Sequence, residues 1–186
     1  MVLIIININF SIKQVVLLRG VLYMRFQIRE LEQSDWKEVS EIYKQGIDTN
    51  VATFETTCPE YEIFDISHIN ICRFIISDNN TIVGWSALSS ASNRCVYGGV
   101  AEISIYIDRR YQGKGVGMSL LLYTIEKSET AGFWMIQSNI IQENYASIRL
   151  HEKCGFRLVG VREKIGKNRY GQWCNVVLME KRSLKI

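Results

Sequence analysis

Apolar and polar positions change period several times along the chain, and each period predicts an element. Arg25-Phe26-Gln27-Ile28-Arg29 alternates as a half-buried strand does, just after Met24. Ser34 can cap a helix running to about Asp48, with Trp36, Val39, Ile42, Tyr43 and Ile47 at helical spacing. Thr57 or Cys58, with Pro59 in the first turn, predicts a second short helix. Residues 73–77 and 81–88 read as strands joined by the turn Asp78-Asn79-Asn80. The stretch 101–107 alternates strictly, with Ala101, Ile103, Ile105 and Ile107 on one face and Glu102, Ser104 and Tyr106 on the other. A long helix should follow the glycines at 113–117, bury Met118, Leu121, Leu122 and Ile125, and stop at Gly132. A strand over 134–139, a helix from Asn144 to Cys154 ended by Gly155, and strands over 156–161 and 174–179 complete the pattern. A strand hairpin followed by strand, helix, strand, helix and strand predicts one α/β domain, in the α+β sense of a mixed sheet flanked by helices.

The first 23 residues stand apart. They are apolar over residues 2–6 and 15–18 but are broken by Asn7, Asn9, Lys13, Gln14 and Arg19. A spanning helix needs about 20 nearly uninterrupted apolar residues. A secretory leader needs a basic start, a clean apolar run and a small-residue cleavage site, and none is present. The domain is therefore expected to occupy residues 24–186, with residues 1–23 a non-domain extension: a translated upstream segment or frayed arm, or alternatively a membrane-surface anchor.

Composition narrows the function classes. With 47% hydrophobic and 22% charged residues, the chain of 186 residues is neither disordered nor fibrous. The net charge of +3 comes from scattered residues without a basic block. Lys13 and Arg19, unaccompanied by acids, supply two of those charges, so the domain itself carries +1 and nucleic acid is a poor partner. Five cysteines with no C-x-x-C pair argue for a reducing cytoplasm rather than a disulfide framework. Two distant histidines give a metal site no support.

Three groups of residues carry candidate chemistry. Gln112-Gly113-Lys114-Gly115-Val116-Gly117 links a strand to a helix, where backbone amides and the helix dipole favour an anion. It is not a P-loop, because Lys114 is followed by glycine, and not a dinucleotide fingerprint, because Met118 fills the third glycine position. The bland alternative is a flexible connection. Glu102 lies mid-strand, either on a solvated face or in a cleft; in a cleft it can act as a general base. Asn144, Ser147 and His151 share a helix face distinct from the charged and apolar ones. His151 is then either a packed histidine or a functional one, whereas His68 reads as surface or packing.

These residues resemble the GNAT family of N-acetyltransferases: a Q-x-x-G-x-G loop after a Glu-bearing strand, then Asn144-Tyr145-Ala146-Ser147-Ile148 through His151 to Gly155-Phe156. Arg94 and Tyr97 before Glu102, Leu150-His151-Glu152, the run 161–166, and Gly171, Trp173 and Val176-Val177-Leu178-Met179 make it similar to the phosphinothricin-type branch, whose relatives include methionine sulfone/sulfoximine and arsinothricin acetyltransferases. The resemblance covers residues 24–182. It implies a GNAT fold of about six to seven strands and acetyl-CoA as co-substrate, without a metal. The acceptor would be a small amino acid or toxic analogue, and the assembly a homodimer.

It further implies that Gln112, Gly113, Lys114, Gly115, Val116 and Gly117 bind the pyrophosphate, and that Ile103, Ser104, Ile105, Tyr106 and Ile107 meet the pantetheine arm. Asn144 and Ser147 would contact the cofactor, Glu102 would be the general base, and His151 the general acid toward the departing thiolate. Arg94 would clamp a substrate carboxylate, with Tyr97 beside it and Phe54 in the substrate-side loop. Two positions depart from the pattern: Asn175 stands where relatives often carry Asp, and Gln142 where they carry Pro. The first removes a charge on the substrate or dimer side; the second is expected to leave the chemistry alone. The chemistry itself is physically coherent. An ammonium must lose a proton before attacking a thioester, and a positioned carboxylate that removes it contributes about 10²–10⁴-fold. The alternatives are a peptide or protein N-acetyltransferase and a non-catalytic acyl-CoA sensor, which would need neither Glu102 nor His151.

Overall fold

The computed structural model of the chain describes residues 15–18, 21–24 and 26–186. Strands β1 (Val15–Leu18) and β2 (Val21–Met24) pair with each other as a separate antiparallel ribbon. The rest of the expected extension, residues 1–14 and 19–20, lies outside the described residues.

The main sheet has seven strands in the order β3-β4-β5-β6-β7-β9-β8. They are β3 (Gln27–Glu30), β4 (Phe74–Asp78), β5 (Thr81–Ser90), β6 (Val100–Ile107), β7 (Met135–Ile141), β8 (Arg157–Lys167) and β9 (Trp173–Arg182). Helices α1 (Trp36–Asp48), α2 (Tyr61–Ser67), α3 (Val116–Thr130) and α4 (Tyr145–Lys153) flank it. The expected α+β mixed sheet is what forms. All neighbouring strands run antiparallel except β6 and β7. Asn79 and Asn80 both take positive φ, 47° and 68°, as a two-residue hairpin turn between β4 and β5 requires.

One core packs α3 against the sheet through Val116, Leu120, Leu121, Ile103, Ile136 and Phe74. A second, under α1 and α2, gathers Val39, Ile42, Phe64, Ile75, Trp85 and Ala87. Three expectations need correction. Helix α2 starts at Tyr61 after an extended Glu60, so Pro59 precedes the helix instead of occupying its first turn. Leu122 is 45% exposed, while Leu120 and the hydroxyl residues Ser119, Thr124 and Ser128 are buried. Those hydroxyls can face the core because they return hydrogen bonds to their own helix: Thr124 Oγ1 donates to Leu120 O at 2.9 Å, and Ser128 Oγ to Ile125 O at 2.7 Å. Finally, β8 and β9 form a longer hairpin than the apolar runs indicated, because its outer half alternates weakly and lies exposed.

Candidate active site

Strands β6 and β7 pair in parallel for only three positions, Val100↔Met135, Ala101↔Ile136 and Glu102↔Gln137. Beyond Glu102 they part. β6 stays paired with β5 through Ile107, and β7 stays paired with β9 through Ile141. The gap opens into a cavity of about 1200 Å³ walled by both strands, the α1–α2 loop, the glycine turn and α4.

At one end stands the turn leading into α3. Gly113 and Gly115 take φ of 73° and 84°, a region open to glycine and strained for other residues. Around the position where a Cβ of Gly113 would sit there is nothing within 4 Å. Gly117 is close-packed, since a Cβ there would meet Leu150 Cδ2 at 3.1 Å. The first amides of α3 have no partner within the helix, so the turn presents donors and the positive end of the helix dipole. Asp108 fixes the approach to this turn. It accepts from Arg110 N at 2.8 Å and from the Arg110 guanidinium, whose hydrogen bonds hold its carboxyl at about 2. Gln45 of α1 bridges to the same place, donating to Asp108 Oδ2 and accepting from Arg109 N.

Glu102 is at the other end, half-buried where the strands begin to part. Its Oε2 accepts from Gln137 Nε2 at 3.1 Å and from Asn139 Nδ2 at 2.7 Å. Tyr106, two turns of the pleat along, stacks on Trp85 with ring centroids 4.7 Å apart, and burial pushes its hydroxyl far above the ordinary tyrosine range, keeping it neutral. Gly46 lets Tyr106 lie against α1: a Cβ there would sit 2.6 Å from two ring carbons. Phe54 closes the opposite wall against Gly166 of β8, where a Cβ would approach its ring to 2.9 Å.

On α4, the side chain of Asn144 caps the helix by accepting from Ser147 N at 3.1 Å. His151, one turn on, is 1% exposed and packs edge-on against Phe156. Its Nδ1 lies 2.8 Å from Ser147 O; a carbonyl accepts, so Nδ1 carries the proton, and Nε2 is a buried acceptor without a partner among the described residues. Burial lowers the imidazole's proton affinity, against a smaller opposing effect from the Ser147 carbonyl.

The cavity wall thus brings together Glu102, Ile103, Ser104, Ile105, Tyr106, Ile107, Gln112, Gly113, Gly115, Gly117, Asn144, Ser147, His151 and Phe54. Lys114 and Val116 are not part of it; Val116 is fully buried in the core, and Lys114 Nζ lies over the Tyr111 ring. Arg94 and Tyr97 are not part of it either. They sit against each other on the exposed loop that leads into β6, with the guanidinium 5.5 Å from the ring centroid. Sequence reasoning missed Gln137 and Asn139. The signal was there, as two amides at alternate positions of the strand, but only the register says that they face Glu102. Among the described residues no cluster of three or more His, Cys, Asp or Glu side chains could hold a metal ion.

A parted sheet with a carboxylate at its apex and a glycine turn on a helix N-terminus at its mouth is the arrangement of a group-transfer enzyme whose donor carries phosphates. The profile of the acetyltransferase (GNAT) family matches residues 27–156, and the chain belongs to that family. It is an N-acetyltransferase with acetyl-CoA as co-substrate. The chain is 26% identical over 160 residues to a phosphinothricin N-acetyltransferase from Alcaligenes faecalis, covering 83% of this chain and 81% of that protein. It is 23% identical over 160 residues to the L-methionine sulfoximine/L-methionine sulfone acetyltransferase of Salmonella typhimurium, covering 82% and 92%. A phosphinothricin acetyltransferase from Sinorhizobium meliloti, solved with acetyl-CoA, superposes with a TM-score of 0.77 at 28% identity, covering 86% of this chain and 89% of that one. The residues present fit the co-substrate. Gly113, Gly115 and Gly117 line the cavity with open space beside Gly113, and among the described residues no strand pairs with the inner edge of β6 beyond Glu102.

Proposed function

We propose that the protein acetylates the amino group of a small amino acid or amino-acid analogue, of the phosphinothricin, methionine sulfoximine/sulfone or arsinothricin kind, with Glu102 as general base. The observation that carries this reading is the place of Glu102. It is the ionisable side chain at the point where β6 and β7 separate, and it lines the same cavity as the glycine turn. Bound acetyl-CoA supplies an activated thioester; the chain does the rest. Gly113, Gly115 and Gly117 bind phosphate oxygens through backbone amides, and the free edge of residues 103–107 aligns the extended arm and offers donors to the developing oxyanion. Glu102 takes the ammonium proton so that the free amine can attack. His151, neutral and protonated on Nδ1, serves at Nε2 as a relay that takes the second proton from the attacking nitrogen and passes it to the departing sulfur. This refines the stored acid that the resemblance implies.

Arg94 and Tyr97 belong to the reading as the carboxylate clamp. They act there when the loop before β6 folds over the cavity or when a second subunit presents it. A homodimer suits the outer hairpin, where Leu158, Val159, Val161 and Ile165 of the edge strand β8 and Trp173 of β9 leave a run of apolar side chains exposed. Cytoplasmic location accords with the five free cysteines; among the described residues no helix is long and apolar enough to cross a membrane.

A peptide or protein N-terminus is the second reading, favoured by one fact: the proposed clamp does not line the cavity of its own chain. A CoA-release screen over phosphinothricin, methionine sulfoximine, methionine sulfone, arsinothricin, ordinary amino acids and peptides decides. Release with an amino-acid analogue that Arg94→Ala abolishes supports the first reading. Release with peptides alone, untouched by Arg94→Ala, replaces it with the second. Binding of acetyl-CoA with no release across the panel overturns both in favour of a sensor.

A further inference from the structure

Two amide side chains of β7 converge on one oxygen of Glu102. Gln137 and Asn139 both donate to Oε2, and among the described residues no donor meets Oε1. We infer that Gln137 and Asn139 are positioning residues that tie Glu102 by Oε2 and leave Oε1 as the oxygen that receives the acceptor's proton. The inference rests on the general-base reading of Glu102.

Three features carry it. The first is topological. Glu102 and Gln137 form the last pair before the strands part, and Asn139, on the same face of β7, reaches back across the opening to the same carboxylate. A glutamate side chain has three rotatable bonds; two donors on one oxygen fix the plane of its carboxylate as well as its position. The second is the asymmetry. One oxygen is doubly engaged and the other is left for a ligand. The third is what Asn139 forgoes. Its Oδ1 is buried without a partner among the described residues. Turned over, the amide would set Oδ1 against Oε2 at the present 2.7 Å with no proton between two acceptors. The Glu102 oxygen therefore dictates the amide's orientation, and an unsatisfied carbonyl is tolerated to keep the donor in place.

The test uses the full chain with acetyl-CoA and methionine sulfoximine, or else the acceptor giving fastest release in the screen. Asn139→Ala should lower kcat about 10- to 100-fold, the scale of a misplaced reacting group, with acetyl-CoA affinity by calorimetry unchanged. Gln137→Leu should have a smaller effect in the same direction. Asn139→Asp separates positioning from packing. It places two carboxylates side by side, which share one proton when the pH is lowered, and the protonated partner then donates to Glu102 as the amide did. Its turnover relative to the unaltered protein should rise as pH falls from 8 to 6, while the ratio for Asn139→Ala stays flat. If Glu102→Gln is inactive but the Asn139 variants turn over normally, or if the Asp and Ala ratios follow the same pH course, the clamp is refuted and the general base stands. If Glu102→Gln retains full turnover, or if no acceptor releases CoA, the general-base reading falls and the clamp with it. Equal melting temperatures across the set exclude misfolding as the cause; a variant that melts early is replaced by Asn139→Ser, for which the same loss of kcat is expected.

Discussion

The side chains of Asn175 and Gln142 bond to each other, Asn175 Nδ2 donating to Gln142 Oε1 at 2.8 Å. These are the two positions at which the chain departs from the pattern it resembles. Gln142 N also donates to Asn175 O at 3.0 Å, and Asn175 Oδ1 accepts from Lys164 N at 2.9 Å. A proline at 142 would have neither the amide N–H nor the side-chain oxygen. An aspartate at 175 would have no donor for that oxygen. The two departures are one structural change, which ties the loop after β7 to β9 and, through Lys164, to β8. A double-mutant cycle should show it. Asn175→Ala, which loses both side-chain bonds, should cost about 1–3 kcal/mol and Gln142→Ala about 1 kcal/mol, with a coupling of at least about 0.5 kcal/mol in urea denaturation. Asn175→Asp should cost less than Asn175→Ala, because the acceptor for Lys164 N is kept and the Gln142 amide can turn to offer Nε2.

Gly115 caps α3 at a φ of 84°. Gly115→Ala should cost about 1–2 kcal/mol of stability, the strain of a left-handed alanine. It should also weaken acetyl-CoA binding, read by calorimetry, because relief of the strain rotates the amides at the helix start. Gly117→Ala, where φ is ordinary and the neighbour is the flexible end of Leu150, should be milder.

Burial lowers the proton affinity of His151 in the folded protein, while the unfolded chain protonates near the ordinary value of about 6.5. Above that value both states are neutral and the histidine's packing contribution is fully present. As pH falls, the unfolded state takes the proton first, so stability drops until the folded value is passed. The urea midpoint should therefore decline from pH 6.5 toward 4.5, and His151→Gln should flatten that decline. His68, also lowered by burial, contributes in the same sense, and His68→Asn should flatten the remainder.

Val161 of the edge strand β8 is 46% exposed within the apolar run of the outer hairpin. A glutamate there should convert a dimer to a monomer in sedimentation velocity while leaving the melting profile of the monomer intact. A sedimentation coefficient unchanged from that of the unaltered protein would place the subunit contact elsewhere.

Elements whose residues report a single neighbour were legible in the chain. Strand β6 alternates because Ala101 and Ile103 on one face pack with α3 and Tyr106 on the other lies against α1, and Asn79-Asn80 encodes its own turn. Helix α3 departs from its expected stripe because it is covered on several sides, so Ser119 and Thr124 are buried where an amphipathic stripe would leave them out, and the Thr124 hydroxyl is satisfied by the buried Ser86 at 2.7 Å. The site divides in the same way. Glu102, the glycine turn and Asn144 lie on contiguous motifs. The Glu102 partners Gln137 and Asn139 depend on which strands are neighbours, a long-range fact carried by no local pattern, and the same is true of Phe54 meeting Gly166.

The parting of β6 and β7 has a thermodynamic side. A sheet opened in its middle gives up hydrogen bonds at its centre, and a ligand that fills the opening binds only the folded chain. Stability must then follow the logarithm of free donor concentration, rising about 2.7 kcal/mol at a hundredfold excess over Kd. By the same linkage, the protein should be easier to unfold when acetyl-CoA is scarce than when it is plentiful.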